Sequence, residues 1–534
     1  MTRAQTAAFL ALIIAPYFIG LSRPDLWDAN ESLYAEPPRE ALETGEWLVP
    51  TMNYEPWFVK PPGVTWVTIP FYAAFGPSEF SGRLPMAIAA TLTILMIYRI
   101  GTLCVSERAG LLSAIVLATT AKHFMFARQL AGDIFIMTCF VGAAWGYLSW
   151  FLSGGDRRGG LWAGAAALGV GMLMKGPVAL LLPGLVLVVH LCLARRRDLF
   201  SKLKPWGPLA LMLVVGVPWF VYVTLKHGDA FTSVYFGQHH FGRFFTEIFG
   251  GSRGPLFYPK AFVGEGLPWS LALPGALWGA WRIGVLRREP WLFSVVWSVV
   301  LVLFFTFATG KRSVYLLPVY PFVGLLVGAT LDRVEWPRAR WIVGPLMPVS
   351  LLVAAATVYL VSRIPIFLTA GVGVGLIACG WAAALLVALR RERARTAVLW
   401  TGIALACLGV WIAVNLRQMQ SARPAREFAE YVARHAEKDD RAGRYWVGLQ
   451  SLTFYGRRPF FSLRDADALR RVCRDSRRTW IVLPEELLGD LSSDPGLTVE
   501  VVLRRPYLQV STRALRGRKP LERTLVLAKV TPTG

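Results

Sequence analysis

The chain has 534 residues, 54% of them hydrophobic and only 17% charged, with a mean hydropathy of +0.46. A soluble domain carries about 25% charged residues, so this composition excludes an ordinary cytosolic globule and a disordered chain, and leaves an integral membrane protein. Lys and Arg number 57 against 34 Asp and Glu, for a formal charge of +23, but they stand in short clusters between apolar runs. That is the positive-inside pattern, so the expected partner is anionic membrane lipid and not nucleic acid.

A bilayer core of about 30 Å needs roughly 20 apolar residues per helix. Taken in chain order, that rule predicts thirteen spans, near 5–22, 82–103, 109–127, 133–153, 160–174, 177–194, 206–225, 267–285, 290–309, 314–331, 342–362, 364–389 and 397–416. The first lacks a small-residue cleavage site and precedes many others, so it reads as a span and not as a removable signal. Residues 61–76 are apolar but short, which fits an interfacial or re-entrant segment. Within 160–194 the only charge is Lys175, and Gly176-Pro177 beside it predicts a turn between two helices. Basic clusters at Arg157-Arg158, Arg195–Arg197, Arg287-Arg288, Arg333–Arg340 and Arg390–Arg395 fall in every second loop. Those loops are expected inside, which puts the N-terminus inside and the C-terminal segment outside.

Two long loops, 23–81 and 226–266, are then external, as is 417–534. In that last segment charged residues become frequent. Strands are predicted at Tyr445–Leu449, Thr479–Leu483, Thr498–Leu503 and Thr524–Val530, and amphipathic helices at Arg423–His435 and Asp465–Cys473. The expected fold is an α-helical polytopic membrane domain, 1–416, followed by a small external α/β domain, 417–534. The six cysteines have neither disulfide nor metal spacing.

The first external loop concentrates the chemistry. Trp27-Asp28-Ala29-Asn30-Glu31-Ser32-Leu33-Tyr34-Ala35-Glu36 places acids at the membrane interface, where a carboxylate can orient an acceptor, ligate a metal or take a proton. Asp28 or Asn30 equally suits the N-cap of a helix running to Thr44-Gly45. Lys60, in Trp57-Phe58-Val59-Lys60-Pro61-Pro62, stands on a stiff extended backbone, as a phosphate-binding point charge or a lysine snorkelling to the interface. Arg128 and Asp133, Lys175, and Gly310-Lys311-Arg312-Ser313-Val314-Tyr315 lie at outer ends of spans, where the positive-inside rule disfavours cations. The second long loop adds His240 and Arg243. Together they form a ring of cations with a few carboxylates, suited to a phosphate-bearing substrate presented from the lipid.

The ordered set Trp27-Asp28-x-Asn30-Glu31-x-x-Tyr34-Ala35-Glu36, Arg39-Glu40, Gly45-x-Trp47-Leu48-Val49-Pro50, Lys60-Pro61-Pro62, Asp133, Met174-Lys175-Gly176, Pro218-Trp219, Leu267-Pro268-Trp269 and Gly310-Lys311-x-x-Tyr315-x-x-Pro318 resembles bacterial lipid-linked glycosyltransferases of the GT-C superfamily. Its branch is the aminoarabinose (lipid A) transferase and protein O-mannosyltransferase-like group. The resemblance implies a polyprenyl-monophosphate sugar donor, a lipid, glycan or protein acceptor, and transfer with inversion on the external face of the inner (plasma) membrane. It assigns Lys60 and Tyr315 to the carrier phosphate, with Lys175 and Lys311 assisting. Asp28, Glu31 and Asp133 are then the candidate catalytic carboxylates, with Asn30 and Tyr34 of the same motif, and Arg128, His240 and Arg243 of the cation ring, as substrate-binding candidates. No cofactor is required by the pattern, and a divalent metal is left without assigned ligands, because Val59 stands where relatives often carry an acid. Asn30 departs from the pattern too, standing where relatives often have Asp. Either Asp28 takes that role, or the acceptor is an already ionised phosphate and no strong base is needed, or the chain is a degenerate homologue. A transporter or flippase would instead predict repeated halves and charges near the bilayer midplane.

Overall fold

Apolar runs that cannot leave backbone groups unpaired in lipid must become helices, and each of the thirteen expected segments carries one. The computed structural model describes residues 2–28, 30–196, 198–242, 254–364, 367–415, 423–508 and 522–533. Among the described residues six helices are long and apolar enough to cross a membrane, or up to eight if each bent pair counts as one span. One such pair, Glu107–Ala118 with Ala121–Ala127, bends by 70°; the other, Trp206–Gly216 with Pro218–His227, bends by 42°. The short apolar segment after Pro61 is a helix of 13 residues, Gly63–Phe75. Helices Trp336–Arg363 and Leu368–Arg390 leave most of their apolar surface exposed, Leu351, Val358 and Leu376 among it, as lipid-facing helices do.

The chain divides into two compact units. The first holds Met1–Ile19, Phe58–Val67 and Arg83–Ala413, and contains most of the apolar helices. Helices Asp133–Leu152 and Gly159–Lys175 are joined by a short turn and pack along each other. A Cβ on Gly146 would stand 2.2 Å from the Gly160 carbonyl oxygen, so only glycine lets these two backbones come so close. Because the pair doubles back, Asp133 at the start of one and Lys175 at the end of the other share an end. Aromatic packing fills the interior beside them: the Trp297 and Phe322 rings lie 4.4 Å apart, and the Trp297 indole donates 2.9 Å to the Pro318 carbonyl. That bond satisfies a buried donor and fixes the 3-10 turn Ser313–Val319. A buried polar relay, Tyr147 Oη to His190 Nδ1 and His190 Nε2 to Glu289 Oε1, both 2.7 Å, ties helix Asp133–Leu152 to helix Val178–Leu193 and to the turn before helix Trp291–Phe307.

The second unit holds Gly20–Trp57, Thr68–Gly82 and Val414–Gly534. Its first part is helix Ser32–Thr44 and a two-residue hairpin, β1 Thr51–Met52 and β2 Glu55–Pro56. Asn53 and Tyr54 in the turn have φ of 60° and 64°, the left-handed pair that a tight hairpin demands. The cost at Tyr54 is offset by its amide, which donates to both Glu40 carboxylate oxygens at 3.1 Å.

The C-terminal part forms a five-stranded sheet of β3 Arg441–Tyr445, β4 Phe461–Leu463, β5 Thr479–Pro484, β6 Leu497–Leu508 and β7 Glu522–Pro532, in the order β4-β3-β5-β7-β6. β3, β4 and β5 are mutually parallel, and β7 runs antiparallel to both of its neighbours, β5 and β6. Central β5 is buried throughout, so its sequence Trp-Ile-Val-Leu is apolar without alternation. Trp480 and Val482 pack with Phe428 and Val432 of helix Ala425–His435 and Leu452 of helix Ser451–Gly456. Ile481 and Leu483 pack on the other face with Leu469 and Cys473 of helix Ala466–Arg474. The strand expected at Tyr445–Leu449 lies earlier, at Arg441–Tyr445. Helix Ser451–Gly456, rich in β-prone aromatics, is a helix because both Leu452 and Phe454 find apolar partners there.

Candidate functional site

In the first unit the chain brings four of the motif segments together. Asp133 opens its helix, where the helix dipole favours a negative charge, and its Oδ1 receives the Lys175 ammonium. Lys175 Nζ also lies 5.2 Å from the centroid of the Tyr315 ring, a cation–π contact. Tyr315 is held flat by stacking on Phe305 at 4.7 Å. The charges of Lys60 and Arg312 act on the same Asp133 carboxylate.

Lys60 reaches this cluster through two local devices. A Cβ on Gly63 would fall 2.5 Å from the Leu173 carbonyl oxygen and 2.8 Å from Met174 Sδ, so glycine allows Pro61–Gly63 to dock on the residues just before Lys175. On the other side Phe58 packs 5.0 Å from the His227 ring and 5.7 Å from Phe231. One carboxylate therefore sits among Lys60, Lys175 and Arg312. Three cations gathered on one carboxylate, with an aromatic ring beside one of them, have the chemistry that a phosphate group needs.

Lys311 is nearby in sequence, but its ammonium donates 2.8 Å to the Ala308 carbonyl at the end of helix Trp291–Phe307. Arg128 donates to the Pro16 carbonyl and covers Phe124, 5.6 Å from the ring centroid, tying helix ends together. The His240 side chain and Arg243 lie outside the described residues.

The Trp27–Glu36 motif belongs to the second unit. Asn30 is exposed and Tyr34 half-buried. Glu31, and not Asp28 or Asn30, is the residue that precedes helix Ser32–Thr44; fully buried, its Oε2 accepts from the Trp27 amide at 2.8 Å. Asp28 Oδ1 accepts from the Ser451 amide at 2.9 Å, and its Oδ2 lies 3.9 Å from Arg423. Burial pushes the Asp28 carboxyl up, against the Ser451 hydrogen bond and the charges of Arg423 and Arg444. Within helix Ser32–Thr44, Arg39 makes a forked pair with Glu36 at 2.6 and 3.1 Å. Burial, with the adjacent Glu40 carboxylate adding to it, pushes Glu36 up to about 7 although Arg39 pulls the other way.

Sequence reasoning passed over four contributors. Arg312 stood inside a quoted motif beside the residues chosen from it. Lys122 is buried and pairs with Glu265 at 2.9 Å while donating 3.1 Å to the Ser313 hydroxyl, which anchors the turn that carries Tyr315. A charged residue inside the 109–127 apolar run was the signal that could have found it. Arg423 and Arg426 carried no local signal at all. Among the described residues no three His, Cys, Asp or Glu side chains converge as a metal-ligand set.

Comparison with known proteins follows this geometry. Residues 59–222 match the dolichyl-phosphate-mannose-protein mannosyltransferase family. The fold is that of ArnT from Cupriavidus metallidurans bound to undecaprenyl phosphate, with a TM-score of 0.83 at 23% identity over 99% of this chain and 98% of that one. These matches define the class: a multi-pass membrane protein with the GT-C glycosyltransferase fold.

The undecaprenyl phosphate-α-4-amino-4-deoxy-L-arabinose arabinosyl transferase of Pseudomonas aeruginosa (strain UCBPP-PA14) is 30% identical over 381 residues, 69% of this chain and 68% of that protein. The enzyme of the same name from Aeromonas hydrophila is 29% identical over 335 residues, 61% of this chain and 59% of that protein. The chain belongs to this family of aminoarabinose transferases. It is thus a glycosyltransferase of the inner membrane, and the polyprenyl-phosphate-linked donor implied by its motifs agrees with the family.

Proposed function

We propose that the chain moves a 4-amino-4-deoxy-L-arabinose-type sugar from undecaprenyl monophosphate to a phosphate of a lipid A-like acceptor, on the external face of the membrane. The topology that goes with this reading has thirteen spans in 1–416, external loops 23–81 and 226–266, and an external α/β domain at 417–534. The observation that carries the proposal is the gathering of Lys60, Lys175 and Arg312 on Asp133, with the Tyr315 ring beside Lys175. As the bond from the sugar's anomeric carbon to the donor phosphate oxygen breaks, its electron pair goes to that oxygen. Lys60 and Tyr315, with Lys175, Arg312 and Lys311 behind them, stabilise the charge that grows there; losing one such donor costs about 3–4 kcal/mol. An acceptor phosphate oxygen attacks the opposite face of the carbon, which inverts it, and undecaprenyl phosphate leaves.

The state of the carboxylates supports an acceptor that is already ionised. Asp28 is engaged by Ser451 and Arg423, Glu31 by the Trp27 amide, and Asp133 by Lys175. A sugar or protein hydroxyl would want a base with a free lone pair and a matched pKa, whereas a phosphate oxygen needs none. Asp28, Glu31 and Asp133 then orient their neighbours, and Asn30, exposed beside Glu31, is a neutral hydrogen-bonding group for the acceptor, with Tyr34. Arg128, His240 and Arg243 stay as substrate-binding candidates on the sequence alone.

The test is a reconstituted assay of undecaprenyl phosphate release, with a panel of polyprenyl-phosphate sugars and lipid A as acceptor. Lys60→Ala is expected to reduce turnover by about two to three orders of magnitude, and Asp28→Asn to retain it within about tenfold, since an amide oxygen still accepts from Ser451. Loss of all turnover in Asp28→Asn with the fold intact would instead make Asp28 the base and point to a hydroxyl acceptor. Wild-type protein that is folded yet inactive with every donor would move the reading to a transporter or a degenerate homologue.

A further inference from the structure

Arginine 423 stands at the entry to helix Ala425–His435, and its guanidinium is spent on one short segment. Nη1 donates to the Asp25 carbonyl at 2.8 Å and Nη2 to the Leu26 carbonyl at 2.9 Å. The same group covers the Trp27 ring, 4.3 Å from its centroid, and faces Asp28. Four consecutive residues are thus read by one planar fork, which no lysine could reproduce.

A second set of bonds holds the same segment from its other side. Tyr455 Oη accepts from the Leu26 amide at 2.8 Å and donates to Glu79 Oε1 at 2.5 Å. Arg426 bridges Glu79 at 2.7 Å and Asp25 at 3.0 Å, and lies 4.6 Å from the Tyr455 ring centroid. With the Ser451 amide on Asp28, backbone and side chains of Asp25–Asp28 are caught at seven points by residues 423–455. The next residues are Asn30 and Glu31, whose amides bond back to the Trp27 carbonyl at 3.4 and 2.9 Å, so whatever fixes Trp27 fixes them.

We infer that Arg423, Tyr455 and Arg426 are positioning residues for transfer: the C-terminal part of the chain templates the Trp27–Glu31 segment and so sets the geometry at which the acceptor is presented. The inference rests on the proposed role of that segment. It gives the C-terminal sheet and helices a part in the reaction, in place of a basic face lying on headgroups. Misplacing a reacting group by about 1 Å costs on the order of 100-fold in rate, so a loosened clamp acts on the chemical step. The groups assigned to the carrier phosphate, Lys60, Lys175 and Tyr315, belong to the other unit and are left untouched.

The experiment compares wild type, Arg423→Ala, Arg423→Lys and the milder Tyr455→Phe in full-length reconstituted protein. The expected result is a kcat lowered about 10- to 100-fold in Arg423→Ala, with undecaprenyl phosphate binding unchanged within about twofold and partial recovery in Arg423→Lys. Hydrogen exchange, read without any turnover, is expected to speed up about tenfold in residues 27–36 of Tyr455→Phe while 479–484 in β5 keep their protection. Exchange at 27–36 that matches wild type, or variants with wild-type kcat, would overturn the inference. So would equal acceleration across β5, which would mean that Tyr455 supports the fold as a whole. A wild type inactive with every donor would sink the transferase reading instead, and the exchange measurement would still decide the clamp.

Discussion

Two clusters of charge, one in each unit, use the same side-chain types to opposite ends. Around Asp25, Asp28 and Glu79 the carboxylates are matched by Arg423, Arg426, Tyr455 and the Ser451 amide. Around Asp133 one carboxylate stands among Lys60, Lys175 and Arg312. Matched charge closes on itself and fixes backbone. Cations gathered at a membrane interface are costly unless groups of opposite sign meet them, which is the ground for proposing a phosphate at the second cluster and a clamp at the first.

The sharpest way to break this contrast is at Lys175. Replacing it with Met takes the hydrogen-bonded partner from a half-buried Asp133 that Lys60 and Arg312 still face, so the loss should stay below the about 3–5 kcal/mol that breaking a fully buried pair costs. The double variant Asp133→Asn with Lys175→Met should regain thermal stability in detergent but not turnover. If it regained both, the cations would be structural like the arginines of the other cluster.

Next comes Gly63→Ala, which sets a methyl against the Leu173 carbonyl and draws Lys60 off its seat. Carrier binding, followed by titration with undecaprenyl phosphate, should weaken about tenfold or more. Wild-type affinity would mean that Lys60 does not touch the carrier.

The third measurement uses pH on the matched side. Glu36 titrates near 7 when folded against 4.5 in an ordinary setting. A carboxyl that holds its proton more tightly in the folded chain stabilises it fully below about pH 4.5, and that contribution is lost as pH rises through 7. At about 1.4 kcal/mol per pH unit the loss is on the order of 3 kcal/mol. Wild type should therefore lose more Tm between pH 5 and pH 8 than Glu36→Gln does; parallel slopes would show that the Arg39 fork keeps Glu36 ionised throughout.

The smallest effect is expected at Asn53. Its Oδ1 accepts from the Phe460 amide at 2.9 Å, and its φ is 60°. Asn53→Ala should lower stability by about 1–3 kcal/mol, from the lost bond and the strained turn, with turnover unchanged. A fall in kcat without a fall in Tm would extend the clamp to the hairpin.

The membrane architecture was legible because hydropathy and helix length are properties of consecutive residues. Lys60-Pro61-Pro62, Lys175-Gly176-Pro177 and Gly310–Tyr315 could be picked out as motifs too, since each lies within a few positions, but that they meet at Asp133 is a matter of the fold. Asp28 shows the limit. As an acid two residues before Asn30 it reads as a candidate base, but its partner Ser451 lies 423 residues away. The same distance hid Arg423, one of many arginines in a basic segment. Lys122 was hidden differently: it needed Glu265, from a separate helix, to become a buried ion pair.

By itself, then, the sequence determined that this is a polytopic membrane protein with motif cations at the ends of its apolar segments. Periodicity, apolar run length and short motifs are written locally, and lipid allows the backbone few alternatives to helix. Only the tertiary structure decided which charges meet which. Pairing depends on the close approach of backbones at Gly146, Gly160 and Gly63, and on residues hundreds of positions apart meeting in one unit.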